Sequence, residues 1–265
     1  MKRLHSKWPQ DPAGKNVNSG FNFFRKIWHV LGLIIPVTLF FDPFQNTFPL
    51  VYATRAILVT LLAALLACLF ILELVRLSHS GFENFFYKYF GFLMKESERK
   101  RFNGTVPYFF ANFLVVLFFP AEVAILAILF LVIGDPFAAY VGSKYGKHRF
   151  YNGKSVEGII GFLIPAFLFS VLALFLITKS HPGSFLAILD DQGNLLLTPI
   201  YIVFLSVLSA CVTEFFANTT AKGLIDDNLL IPIVGATVLS ILSLLCLDYT
   251  PTDFFFDPKA LYIQK

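Results

Sequence analysis

The stretch AEVAILAILFLVIGDPFAAYV, residues 121–141, decides the fold. It holds Glu122 at its start and Asp135 within it, and is otherwise apolar or small. Crossing the hydrocarbon layer of a bilayer takes about 17–25 such residues. Six further apolar runs lie near residues 27–41, 56–77, 105–119, 158–177, 199–217 and 229–247. The 265 residues are 57% hydrophobic and 14% charged, with a mean hydropathy of +0.71, leaving too little polar surface for a water-soluble domain. The expected fold is all-α, a polytopic membrane helical bundle with about seven transmembrane helices. The runs at 27–41 and 105–119 are short: they cross with little tilt, are buried among neighbours or are re-entrant, so six spans is the other count.

The chain divides into a polar N-terminal segment (1–24), a transmembrane domain (25–248) and a C-terminal tail (249–265). Residues 1–24 lack the apolar core of a cleaved signal. With seven spans and a cytoplasmic N-terminus, only Arg55, Lys179, Lys259 and Lys265 of the 21 Lys and Arg fall outside. The positive-inside rule thus makes the N-terminus cytoplasmic and the tail external. The sequons at Asn103 and Asn218 then face the cytoplasm and should stay unglycosylated. The net charge of +4 is explained by this sidedness, and no nucleic-acid partner is expected. Cys68, Cys211 and Cys246 have unrelated spacings inside spans and read as apolar fillers. Between spans, Phe82, Phe85, Phe86, Tyr89, Phe90 and Leu93 recur at helical spacing, with Glu83, Lys88 and Lys95 off that stripe. This is an amphipathic helix, either lying in the membrane interface or packed on the spans.

Ionisable groups inside a membrane cost about 2.5–3.5 kcal/mol each on insertion scales, so each needs a reason. Glu73 and Arg76, three apart, read as an interfacial ion pair, and Glu122 as a helix-start residue. Asp135 leads into GDPFAAYVGSKYGKHRFYNGKSVEG, residues 134–158. There Gly134, Ala138 and Gly142 make a smooth helix face for close approach of another helix. Lys144, Lys147, Arg149 and Lys154 are interleaved with Gly142, Gly146 and Gly153, and Ser155 and Glu157 open the next span. Glycines, cations and a helix start suit a polyphosphate, and Asp135 suits a bridging Mg²⁺. The competing explanation is plain topology signals and an N-cap at Ser155. A second group is Glu214 in the sixth run, followed by Asp226, Asp227 and Asn228, oxygen ligands for a hard cation or a general base. Arg25, Lys26 and His29 form a third, accessory group at the mouth of the first run. All three groups fall on the cytoplasmic side, implying one site. The GxxxxGK[ST], HExxH and GxSxG signatures are absent from the sequence.

At these residues the chain resembles the membrane family of CTP-using lipid kinases (dolichol, phytol and diacylglycerol kinases and bacterial diacylglycerol or polyprenol kinases). The resemblance lies in RKIWH at 25–29, NGTVPYF at 103–109, GDPFAAYVGSKYGK with GKSVEG, and Glu214 followed by DDNLLIP at 226–232. It implies transfer of the γ-phosphoryl group of CTP, with Mg²⁺, to the hydroxyl of a membrane lipid alcohol. Asp135, Asp226 and Asp227 would then serve metal binding and hydroxyl activation, and Glu214 would orient or balance charge. Gly134, Gly142, Lys144, Gly146, Lys147, Lys154, Ser155 and Asn228 would receive the nucleotide. Phosphatidate cytidylyltransferases share the glycine-aspartate and lysine-serine region but typically have a longer basic and histidine-glycine-glycine signature. DDNLLIP stands here instead. Pro136, directly after Asp135, departs from the family pattern and could kink the helix. A transporter lined by Asp135 and Glu214 is the remaining, non-enzymatic reading. A bacterial inner membrane and an endoplasmic reticulum both fit.

Overall fold

The computed structural model describes residue 27 and residues 29–91, 94, 98–181, 183–247 and 255–265. The 1–24 segment, Arg25, Lys26, Leu93 and Lys95 lie outside the described residues. A 3-10 turn at Leu31–Leu33 leads into α1 (Ile34–Phe41). There follow α2 (Ala53–Ser78), α3 (Ser80–Phe90), α4 (Thr105–Phe118), α5 (Ala121–Tyr145), α6 (Val156–Ser180), α7 (Leu197–Phe216) and α8 (Asp227–Cys246). Among the described residues β-pairing is limited to isolated bridges.

Five helices, α2 and α5–α8, are long and apolar enough to cross a membrane. Their 20–26 residues correspond to about 30–39 Å of helix. The chain is an integral membrane protein. Two of the seven expected spans correspond to shorter apolar helices, Leu31–Phe41 and Thr105–Phe118, so by length the structure supports five crossings. The central element is α5, with every residue from Val123 to Asp135 buried. Its apolar stretch is 83% enclosed, against 22% for α2, which leaves most of α2 to face lipid.

The helices run between two ends of the bundle. At one end Arg55 Nη1 donates to Phe119 O (2.9 Å), and His181 Nε2 lies 2.9 Å from Phe40 O. The tail returns to this end: Phe256 N donates to Phe118 O (2.8 Å), Val51 N to Ile263 O (3.0 Å) and Lys265 N to Pro49 O (2.9 Å). Glu122 joins the first turn of α5 to the connection before α7 by accepting from Leu186 N (3.3 Å). In that connection Asn194 hydrogen-bonds Asp190 and holds its carboxyl below the usual carboxylate range. The opposite end gathers the last turns of α2, α5 and α7 with the starts of α4, α6 and α8.

The small face on α5 meets α6. A Cβ added at Gly158 would lie 3.3 Å from Ala138 O and 3.5 Å from Gly142 Cα. One added at Gly161 would lie 2.6 Å from Val141 Cβ, and the space beside Gly134 is filled by the Phe162 ring, 2.5 Å from a Cβ there. Gly161→Ala is therefore expected to cost about 1–3 kcal/mol through overpacking, seen as a lower unfolding midpoint in detergent micelles. Gly81→Ala, with nothing within 4 Å of the new methyl, is the control and should not lower it. Pro136 is accommodated inside a continuous α5, where it leaves the carbonyl of Val132 without its usual helical donor.

The aromatic residues of α3 divide between two faces. Phe86 is buried, whereas Phe85, Tyr89 and Phe90 are exposed. Glu83 accepts from Arg99 Nε at 2.7 Å, and the guanidinium groups of Arg76 and Arg99 lie over Phe86 and Tyr87. Of the cysteines, all free, Cys211 is buried and Cys68 and Cys246 are exposed.

Candidate active site

Asp135 lies fourteen residues into α5, about 21 Å from the start of that helix. A buried carboxylate needs partners, and His29 supplies one, with Nδ1 3.5 Å from Asp135 Oδ2. The His29 ring stacks on Tyr108 at a centroid distance of 4.9 Å, and Tyr108 Oη donates to the His29 carbonyl at 2.9 Å. Gly32 completes this contact, because a Cβ there would lie 1.6 Å from Tyr108 Oη. His29, Tyr108 and Asp135 are all buried. The first apolar run thus reaches the same place as Asp135 through His29, while Arg25 and Lys26 lie outside the described residues.

The loop between α5 and α6 folds back on itself. Phe150 N donates to Lys154 O (2.8 Å) and Val156 N to His148 O (3.0 Å). Arg149 clasps the loop by donating to the carbonyls of Gly142 and Gly153, both at 2.9 Å. Ser155 is the N-cap of α6, its Oγ accepting from Gly158 N at 3.1 Å. Gly146 passes so close that an added Cβ would lie 2.8 Å from that Oγ and 2.2 Å from Gly142 O. The last carbonyls of α7 lack helical donors, and this loop provides them: Asn152 Nδ2 donates to Phe215 O (2.8 Å) and Lys154 Nζ to Glu214 O. Lys154 also pairs with the Glu214 carboxylate at 2.9 Å.

Across the site, Asp226 is the N-cap of α8. Its Oδ1 accepts from Leu229 N at 3.2 Å and its Oδ2 from Asn228 Nδ2 at 2.7 Å. Asp227 follows in the first turn, where a carboxylate complements the helix dipole. The segment entering α4 abuts this corner: Phe102 N donates to Lys222 O (2.8 Å), and a Cβ on Gly104 would lie 2.9 Å from Asn228 Nδ2. Gly223, at φ +97°, passes so close to Phe102 O that a Cβ would lie 2.4 Å from it, so glycine is required on both counts.

The three groups expected from the sequence are thereby joined. His29 faces Asp135 at 3.5 Å, and Lys154 ties the α5–α6 loop to the Glu214 carboxylate at 2.9 Å. Other expected residues lie outside this cluster. Lys144 is exposed on the Tyr140 hydroxyl (3.0 Å) and Lys147 is exposed. Glu157 accepts from the His148 backbone and ring. Among the described residues no three His, Cys, Asp or Glu side chains are gathered closely enough to ligate one metal ion, although the all-oxygen donor set has the right chemistry for Mg²⁺. Tyr108 and Asn152 join the site without having been singled out in the sequence. Tyr108 lies within NGTVPYF and Asn152 within the glycine-rich loop, which are the only signals for them.

These features define a class: an integral membrane protein with acidic side chains from α5, α7 and α8, and basic ones from His29 and the α5–α6 loop, at one end of its bundle. The chain is similar to CTP-dependent diacylglycerol kinase 1 of Schizosaccharomyces pombe, with 29% identity over 172 residues, 63% of this chain and 72% of that protein. It is 32% identical to CTP-dependent diacylglycerol kinase 1 of Saccharomyces cerevisiae over 94 residues, 35% of this chain and 32% of that protein. An uncharacterized protein of Rickettsia prowazekii is 26% identical over 225 residues, 83% of this chain and 93% of that one. No protein-family model matches the chain, and no solved structure matches it. The similarities support a CTP-dependent lipid kinase.

Proposed function

We propose that this protein transfers the γ-phosphoryl group of CTP to the hydroxyl of a membrane lipid alcohol, diacylglycerol or a polyprenol such as dolichol. The observation behind this reading is the pairing of His29 with Asp135 and of Lys154 with Glu214 at the end of the bundle where Asp226 and Asp227 open α8. Phosphoryl transfer asks chiefly for positioning and charge neutralisation, which this arrangement suits. Asp135 and Asp227 would offer carboxylate oxygens to Mg²⁺, which when bound neutralises charge on the triphosphate. Lys154 stands at the cluster, and the exposed Lys144 and Lys147, outside it, would attract the nucleotide. The backbone around Gly142, Gly146 and Ser155 fixes the loop against it. The lipid hydroxyl oxygen forms a bond to the γ-phosphorus, the bond to the β-phosphate oxygen breaks, CDP leaves and the hydroxyl proton passes to a carboxylate. The excess of Lys and Arg at this end supports a cytoplasmic site.

The test uses purified protein in lipid vesicles with CTP labelled at the γ or the α position, offering diacylglycerol, dolichol and phosphatidate in turn. Label from the γ position in a lipid phosphate is expected, abolished by EDTA and restored by Mg²⁺. Label from the α position in a liponucleotide would replace this reading with cytidylyl transfer. Absence of label from both products would overturn both and direct attention to ion flux through the same vesicles.

A further inference from the structure

Glu73 and Arg76 close α2 at the site end without reaching the acidic cluster. They are nevertheless the most enclosed charged side chains among the described residues, each 1% exposed. The two carboxylate oxygens of Glu73 accept from Arg76 Nε (2.8 Å) and Nη2 (2.7 Å). The remaining donor capacity of Arg76 goes to carbonyls some 25 residues ahead: Nη1 to Arg99 O (2.8 Å), and Nη2 to Arg101 O (2.7 Å) and Glu98 O (3.3 Å). Glu73 Oε2 also accepts from Asn103 N at 3.0 Å. An ion pair that serves stability alone gains little over apolar packing when buried. This one grips three carbonyls and an amide of a single irregular segment.

That segment ends at Gly104, where an added Cβ would lie 2.9 Å from Asn228 Nδ2, 3.6 Å from Asp226 Oδ2 and 3.7 Å from Glu98 Oε1. We infer that Glu73 and Arg76 are a positioning pair: they fix residues 98–104 so that Gly104 seats Asn228, and Asn228 in turn sets Asp226 and Asp227 at the start of α8. The role in turnover rests on the kinase reading given above. Lysine cannot take the place of Arg76, because a single ammonium group lacks the planar fork that binds a carboxylate and the carbonyls together.

Arg76→Lys, Gly104→Ala and the double variant are compared with the wild type in vesicles. Arg76→Lys is expected to lower kcat by about 10- to 100-fold, the scale of a misplacement near 1 Å, while KM for CTP and for diacylglycerol stays within about twofold. Gly104→Ala disturbs the same contact with the ion pair intact and is expected to act in the same way, which keeps the inference testable should Arg76→Lys fail to fold. Because both changes act on one register, the double variant should be no slower than the slower single variant. Hydrogen exchange gives a readout that needs no turnover: in Arg76→Lys it should quicken at Asn103 N–H and also at Leu229 N–H, which is bonded to Asp226. Inactive wild type would sink the kinase reading, with exchange still testing the positioning pair. Unchanged exchange at Leu229, wild-type kcat in folded Arg76→Lys, or multiplicative losses in the double variant would overturn the inference.

Discussion

Asp135→Asn is expected to insert and fold at wild-type level yet lose about 10²–10³-fold in turnover, the range for deleting one preorganised electrostatic group. The amide is nearly the same size as the carboxylate and leaves the 3.5 Å contact with His29 sterically unchanged, so packing around Tyr108 should survive. What disappears is a buried negative charge. An ionised carboxylate is costly to bury, so the unfolding midpoint should hold or rise while activity collapses. Phosphate transfer from γ-labelled CTP and thermal unfolding in micelles, measured on the same preparation, check both halves. Wild-type turnover in the variant would make the carboxylate structural.

Lys154→Met is expected to lose both activity and stability. Removing one partner of a buried ion pair leaves the other charge uncompensated. Glu214 is the more enclosed partner, its side chain 12% exposed against 27% for Lys154, and it would remain among the carboxylates without its cation. A loss of about 3 kcal/mol follows, or roughly 6–12 °C in the unfolding midpoint. The double variant Lys154→Met, Glu214→Leu removes both charges and should recover most of that stability with none of the turnover. Recovery of turnover in the double variant would show that the pair only supports the loop.

The long helices were legible because lipid demands a continuous apolar run, and α2 and α5–α8 satisfy it by length alone. The face of Gly134, Ala138 and Gly142 was legible for a similar reason, since a spacing of four marks one helix side. Less was visible where the contact is distant in sequence. The spacing of Glu73 and Arg76 announced an ion pair, but its carbonyl acceptors lie in an irregular segment with no periodicity to mark them. Tyr108 reads as core in any apolar helix until His29 is seen against it. Asp226 and Asp227 stood out as adjacent carboxylates, yet position at a helix start separates them: the first is buried in the cap and the second is half-buried in the turn after it.

The brevity of α1 and α4 has a mechanical result for the surrounding lipid. Fourteen residues of α4 reach about 21 Å, some 9 Å short of a typical hydrocarbon layer. On α1, Ile34, Val37 and Phe41 are exposed, so this flank offers a bilayer too little apolar height. Hydrophobic mismatch of this kind is met by local thinning, by snorkelling of flanking residues or by association of copies. Thinning on this flank would bring a lipid head group toward the buried carboxylate, with no need for the alcohol to be lifted out.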